Sequence, residues 1–466
     1  MKMSTSILLC VCAFFITAMA QAQFRPNPIE TSDLTVMVEE VGEMPFVLGP
    51  GFFGPAPNLA SPVRVNNRLY LIDQNDAIYR LNRHNQVQQI FNVNEAPAGL
   101  VLDNPNSIVN VSRGRNKKSI FVMFTSATLP PANIPVYTLP DPLPGACCDA
   151  TTPLPITDLY RLGSEAPDLE TRTEFQVLYE FKLGRNKLKR PRAIAAFESQ
   201  SGFAQHNGGG MLTTPDGRVL FAKGDGLSSG LDGRAAPQDD NEVVGKILLI
   251  DPNTGAIEVL AKGMRNVQRL AYAFGATEGL VVGFGDIGSF VAEEVNYVTL
   301  HNLLDHSEIE NFGFGRNPDG FAREGTFYID EGLALVGSSP LPLNFAPSPE
   351  AGFIQPQAQY GRNDPNSGGS VAVSGPVSSF RSLTSITSLF TDLPNGILYA
   401  TLESILNKDT TVFRVNLVDV SGMPLNSFRD LNEGKRADPR LFKFPDGTAG
   451  VLLERNGKFF RLTQIH

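Results

Sequence analysis

Phe459-Phe460-Arg461-Leu462, close to the end of the chain, is the clearest copy of a short strand that decides the fold. It returns as Ile78-Tyr79-Arg80-Leu81, Leu159-Tyr160-Arg161-Leu162 and Val412-Phe413-Arg414-Val415, with Ile247-Leu248-Leu249-Ile250 as a degenerate fifth copy. Successive side chains of a strand face opposite ways. The aromatic and the arginine of each copy therefore point to opposite sides of their sheet, one packed between sheets and the other toward an edge or solvent. A turn followed by an apolar strand often comes first: Asn66-Asn67 before Leu69-Tyr70-Leu71-Ile72, Pro215-Asp216-Gly217 before Val219-Leu220-Phe221, and Pro394-Asn395-Gly396 before Ile397-Leu398-Tyr399. Asx-Gly turns supply the positive φ that tight hairpins need. Strand, turn and strand at this density, with almost no helical periodicity, predict an all-β repeat architecture. The repeats run without a break in composition from about residue 66 to residue 462, which favours a β-propeller over a sandwich. Two Pro-rich segments, Leu129 to Pro155 and Gly337 to Pro356, read as long loops inserted between blades, and short helical turns are expected around His301 to Ile309.

The compartment is read from the first residues. Met1-Lys2-Met3, the apolar run Ile7 to Ala20, and the small-residue pairs Ala18/Ala20 and Ala20/Ala22 have the order of a secretory signal. The run is shorter than the roughly 20 apolar residues of a spanning helix. Residues 1–22 are thus expected to be a signal peptide and 30–466 a single domain, secreted or periplasmic, with no membrane span. A formal charge of -9 argues against nucleic acid as a partner, and the one basic run, Arg185 to Arg192, reads as a solvated loop. Cys147 and Cys148 are adjacent and match neither disulfide geometry nor metal-ligand spacing, so stability must come from a buried core.

Chemistry gathers around Gln205-His206-Asn207-Gly208-Gly209-Gly210. A histidine ahead of glycines sets an imidazole where backbone can approach a flat ligand closely. Taken alone, such a stretch is more often a turn than a catalytic base. Downstream, in order, come Pro215-Asp216-Gly217, Lys223-Gly224-Asp225-Gly226, Pro237-Gln238-Asp239, Gly245-Lys246-Ile247-Leu248-Leu249-Ile250-Asp251, Gly263-Met264-Arg265-Asn266-Val267-Gln268, Asp286-Ile287-Gly288-Ser289, Glu293-Glu294-Val295-Asn296 and Asn311-Phe312-Gly313-Phe314-Gly315.

This ordered series, from Gln205 to about Gly315, resembles the glucose/sorbosone dehydrogenase family of soluble quinoprotein sugar dehydrogenases. The resemblance implies a six-bladed β-propeller with long inter-blade loops and a site for pyrroloquinoline quinone (PQQ) and calcium. It implies His206 as the general base that takes the proton of a sugar's anomeric hydroxyl while hydride passes to the quinone; a base working near neutral pH is most easily a histidine. Arg265 and Asn266, with Arg436 and Arg440 as looser matches, would hold the acidic cofactor. The backbone oxygens of Gly288 and Ser289 would ligate calcium, a hard cation suited to them. The partners so implied are a small-molecule sugar and an electron acceptor. The chain departs from the family pattern at several places, one being that no lysine occurs between Lys262 and Lys408, where a late-blade lysine normally meets the quinone. Gln205 stands where an acidic residue usually precedes the histidine, Ile287 where a glutamine precedes the calcium-ligating pair, and no Trp occurs anywhere in the chain. The alternative is a secreted propeller that lost the quinone site and binds a protein or carbohydrate without catalysis.

Overall fold

The computed structural model describes the chain from Pro28 to His466 except residues 50–56, 83–85, 98–99, 101–107, 127–129, 132, 138–172, 201–205, 227–235, 276–278, 289–291, 306, 317–321, 325–326, 330–345, 348–352, 362–363, 368–372 and 379. The expected signal peptide, the Leu159–Leu162 repeat, Cys147, Cys148 and nearly all of the two Pro-rich segments lie outside the described residues. Nearly all regular structure is strand, so the molecule is all-β and propeller-like. Among the described residues, no helix is long and apolar enough to cross a membrane.

Three meanders follow the chain in order. Leu59–Val65, Arg68–Asp73, Ala77–Leu81 and Val87–Asn92 form the first. Ile108–Arg113, Ser119–Ser126, Thr173–Leu183 and Leu188–Gln200 form the second, edged by Val136–Tyr137. Gly210–Thr213, Val219–Lys223, Lys246–Ile250 and Ile257–Lys262 form the third, edged by Glu310–Asn311. A fourth sheet takes Leu270–Gly275, Gly279–Asp286 and Ala292–Thr299, then recruits Ala358–Gly361 after a long excursion. That excursion carries the one-turn helix Leu300–Leu304, inside the segment where helical turns are expected, and a small separate sheet running from Gly315–Arg316 to Ala346–Pro347.

The remaining strands join into one nine-stranded sheet. It runs from Val373–Ser378 through Ser388–Asp392 and Leu398–Thr401 to Phe413–Asp419, which also pairs with Pro424–Leu425. Glu30–Glu43 then lies parallel to Phe413–Asp419 and antiparallel to Lys458–Gln464, followed by Ala449–Leu453 and Pro439–Lys443. The N-terminal strand thus ties the two ends of the chain together.

Six strands make a closed ring around the centre: Leu59–Val65, Ile108–Arg113, Gly210–Thr213, Leu270–Gly275, Val373–Ser378 and Pro439–Lys443, each packed on the next and the last on the first. Apolar slabs fill the wedge between neighbouring sheets. Tyr70, Ile78, Phe124 and Phe181 seal the first sheet to the second, and Phe197, Phe221 and Leu248 the second to the third. Phe442, Phe459, Leu69 and Tyr79 close the circle between the last strands and the first sheet. The repeat behaves as its alternation predicts. Tyr79 and Phe460 are buried, whereas Arg80 and Arg461 reach Gln88 and Asp446 at the sheet margin.

Candidate functional site

The site is built on a close meeting of two backbone segments. His206 has a left-handed φ of 59°, and Gly208 and Gly209 follow at 73° and 118°. This curl leads into the ring strand Gly210–Thr213 and lays the loop against Ala222 to Gly226. Gly209 N donates to Ala222 O at 2.9 Å, and Gly226 N donates to His206 O at 3.1 Å. A Cβ on Gly224 would stand 1.9 Å from the His206 carbonyl oxygen, so glycine is required there. From the second sheet, Gln176 supports the loop by donating to Asn207 O at 3.2 Å and accepting from the wholly buried Lys223 Nζ at 2.9 Å.

This apposition delivers the partner that position 205 lacks. Asp225 Oδ1 lies 3.1 Å from His206 Nδ1; the Asp225 side chain is 1% exposed and the imidazole 12%. Position 205 indeed carries no acid, and the carboxylate beside the imidazole comes instead from the Gly224-Asp225-Gly226 turn. A carboxylate on Nδ1 fixes ring orientation and tautomer, leaving Nε2 as the acceptor. We expect Gly224→Ala to force these two backbones apart. The cost should be about 1–3 kcal/mol, as for other overpacked sites, together with loss of the His206–Asp225 contact. Thermal unfolding and the imidazole's nuclear magnetic resonance signals would measure the two effects separately.

Arg265 and Asn266 belong to the same locus. Arg265 O accepts from Asp225 N at 2.8 Å, and Asn266 Oδ1 accepts from Gly208 N at 3.2 Å. Their own amides converge on Asp286, with Arg265 N 2.9 Å from Oδ2 and Asn266 N 2.7 Å from Oδ1. Burial, reinforced by the nearby Glu294, holds the Asp286 carboxyl well above the usual carboxylate range. The Arg265 side chain turns onto the segment expected to ligate calcium: Nη1 donates to Ile287 O at 2.9 Å and Gly288 O at 2.7 Å. Gly288 N in turn donates to Glu293 Oε2 at 3.1 Å. Ser289 lies outside the described residues. Among the described residues, no group of three or more His, Cys, Asp or Glu side chains is arranged to hold a metal.

The other two expected cofactor residues have carboxylate partners. Arg436 Nε donates to both oxygens of the buried Asp438, at 2.8 and 2.7 Å. Arg440 bonds Glu454 through Nη2, and through Nη1 reaches Gln268 Oε1 at 3.0 Å. The structure therefore brings His206, Arg265, Asn266 and Gly288 together. It ties Arg440 to this region only through Gln268, two residues beyond Asn266. Of the other histidines in the resembling stretch, His301 is exposed on its helical turn and His306 lies outside the described residues. Asp225, Asp286 and Glu293 are the site residues that sequence reasoning missed. An aspartate between two glycines, downstream of a glycine-flanked histidine, is the signal that could have found the first.

No family model matches the chain, and no curated protein matches it either. Solved structures do. The PQQ-bound aldose sugar dehydrogenase from Streptomyces coelicolor superposes with a TM-score of 0.52 at 13% identity, covering 94% of this chain and 100% of that one. The soluble aldose sugar dehydrogenase from Escherichia coli, in its apo form, gives a TM-score of 0.52 at 14% identity, covering 92% and 99%. A structure described as glucose dehydrogenase gives 0.52 at 13%, over the same shares. At these identities the likeness is one of fold.

Proposed function

We propose that this chain is an exported oxidoreductase that oxidises an aldose at its anomeric hydroxyl, with His206 as the general base. The observation that carries the reading is the His206–Asp225 pair, buried and held at a glycine-built loop beside Arg265 and Asn266. A purely adhesive surface has no use for an imidazole oriented by a carboxylate. The folds it resembles, whose solved examples are sugar dehydrogenases, support the same reading. On this proposal residues 30–466 form one six-bladed propeller. Four blades are the three meanders and the sheet that starts at Leu270–Gly275, and two are the halves of the nine-stranded sheet, joined where Glu30–Glu43 meets Phe413–Asp419.

Calcium does not fit the arrangement. The guanidinium of Arg265 already occupies the carbonyl oxygens of Ile287 and Gly288, and a dication beside it would meet a like charge at short range. An acidic quinone does fit. Among the described residues, no partner takes Nε or Nη2 of Arg265, so this fixed cation can meet a carboxylate, and Asn266 stands next to it. Bound PQQ would supply the two-electron acceptor for the hydride leaving C1 of the sugar. The chain's own residues do the remainder. His206 Nε2 takes the hydroxyl proton as the C1–O bond gains double-bond character, Asp225 stabilises the resulting imidazolium, and Arg265 provides positive charge without a metal.

A second reading has one observation in its favour. Arg436 and Arg440 are neutralised by Asp438 and Glu454, which leaves fewer cations for a triacid and favours a propeller that only binds. Absorbance titration with PQQ separates the two readings. We expect saturable binding that is the same in calcium and in a chelator. Arg265→Ala should weaken it tenfold to a hundredfold without unfolding the protein, since a charge-assisted contact contributes roughly 1.5–3 kcal/mol. Binding that requires calcium would overturn the metal-free arrangement, and no binding at all would favour the adhesive reading.

A further inference from the structure

The ring of inner strands encloses a second chemical feature, independent of the chemistry at His206. Arg269 immediately precedes the ring strand Leu270–Gly275, where Gly210 of the neighbouring ring strand presses on the Arg269 backbone (a Cβ there would lie 3.0 Å from its carbonyl carbon). Its Nη1 is enclosed and has no hydrogen-bond partner among the described residues. Lys443 ends the ring strand Pro439–Lys443, which packs beside Leu59–Val65, the strand that carries Arg64. In the ring, Leu270–Gly275 is opposite Leu59–Val65 and two places from Pro439–Lys443. Arg269 and Lys443 therefore come from ring strands that are not neighbours, and Arg64 from the strand opposite Arg269.

Lys443 feels the charge of both arginines. Burial, followed by the charges of Arg64 and then Arg269, pushes the Lys443 ammonium down to about 8. Burial alone lowers Arg269, to about 10, and no carboxylate among the described residues offsets either shift. The nearest relief for Lys443 is the Phe380 ring, 5.5 Å from Nζ. Arg64, on the exposed margin, donates among the described residues only to the side-chain oxygen of Asn67, at 2.6 Å. Buried charges in folded proteins are ordinarily paired. Three cations facing one opening without an acid, one of them with an orphaned enclosed N–H, are the negative image of an anion.

We infer that the central opening of the ring is a binding site for a small oxyanion, a carboxylate or a phosphate, held by Arg269 from one side and by Lys443 and Arg64 from the other. A guanidinium and an ammonium together suit either ion, because the first offers a planar fork and the second a point charge.

Isothermal titration of the full chain with inorganic phosphate, and separately with succinate, in a chloride buffer tests this. Binding of phosphate alone assigns a phosphate-type ligand, binding of succinate alone assigns a carboxylate, and either supports the site. Arg269→Gln and Lys443→Gln should each lower affinity about tenfold or more, the effect of one charge-assisted contact. In buffer free of both anions, Arg269→Gln should also melt higher than the parent, because an uncompensated buried charge has been removed. An arginine that merely packs would make it melt lower. Failure of the parent to bind either anion, or affinity unchanged in both variants, would overturn the proposal.

Discussion

His206→Asn should lower aldose turnover by about 10²–10⁴, the usual contribution of a positioned general base, while the protein melts where the parent does. The substitution is a clean one. His206 sits at a φ of 59°, and asparagine is among the few residues that tolerate this left-handed region. The loop therefore keeps its curl, and Gly226 keeps its hydrogen bond to the carbonyl oxygen of residue 206. The proton acceptor at Nε2 and the Nδ1 contact with Asp225 are lost, and the backbone is kept. Asp225→Asn should act in the same direction, because an amide at 3.1 Å from Nδ1 no longer stabilises a charged imidazole. A dye-reduction assay across an aldose panel, with PQQ supplied, measures both. Equal rates in parent and His206→Asn would remove the imidazole from the mechanism.

The largest expected loss of stability comes from a residue far from the base. Glu454→Ala should cost about 3–5 kcal/mol, the range for removing one partner of a buried ion pair. The Arg440 side chain is 14% exposed and that of Glu454 7%, and among the described residues the enclosed Arg440 Nε has no hydrogen-bond partner. Taking the carboxylate away leaves Gln268 as the one hydrogen-bond partner of the guanidinium among the described residues. Replacing both residues by Met should restore most of the stability, since apolar packing commonly substitutes for a buried pair. Urea unfolding of the parent and the two variants measures both effects. A loss below about 1 kcal/mol for Glu454→Ala, the range of an exposed pair, would show that Arg440 does not depend on it. Arg440 would then be free to meet a ligand, as its place in the sequence suggests.

The strands were legible in the sequence, and their grouping was only partly so. Tyr79 and Phe460 announced buried strands by alternation alone. Ser119–Ser126 and Thr173–Leu183 carry no arginine repeat, so the second sheet gave no countable signal. The pairing of Val36 with Gln464 and of Thr35 with Asn416 joins residues hundreds of positions apart, and no local propensity encodes such a register. At the site, the ordered glycine-rich series led to His206, Arg265 and Asn266, which the fold does bring together. Asp225 escaped notice because its approach to His206 depends on two glycines letting backbones 19 residues apart meet, a contact made in space and not along the chain. The fate of Arg265 was equally hidden. A residue type suited to acids can donate as readily to carbonyls, and only the fold decides which it meets.

The central claim is oxidation of a sugar by a base paired with Asp225 at a site that needs no calcium. Dye reduction by the parent protein with PQQ and an aldose, in excess chelator, tests it most directly. Steady reduction at the rate seen with calcium present is expected. Reduction only when calcium is supplied, or none with any aldose in either condition, would contradict it.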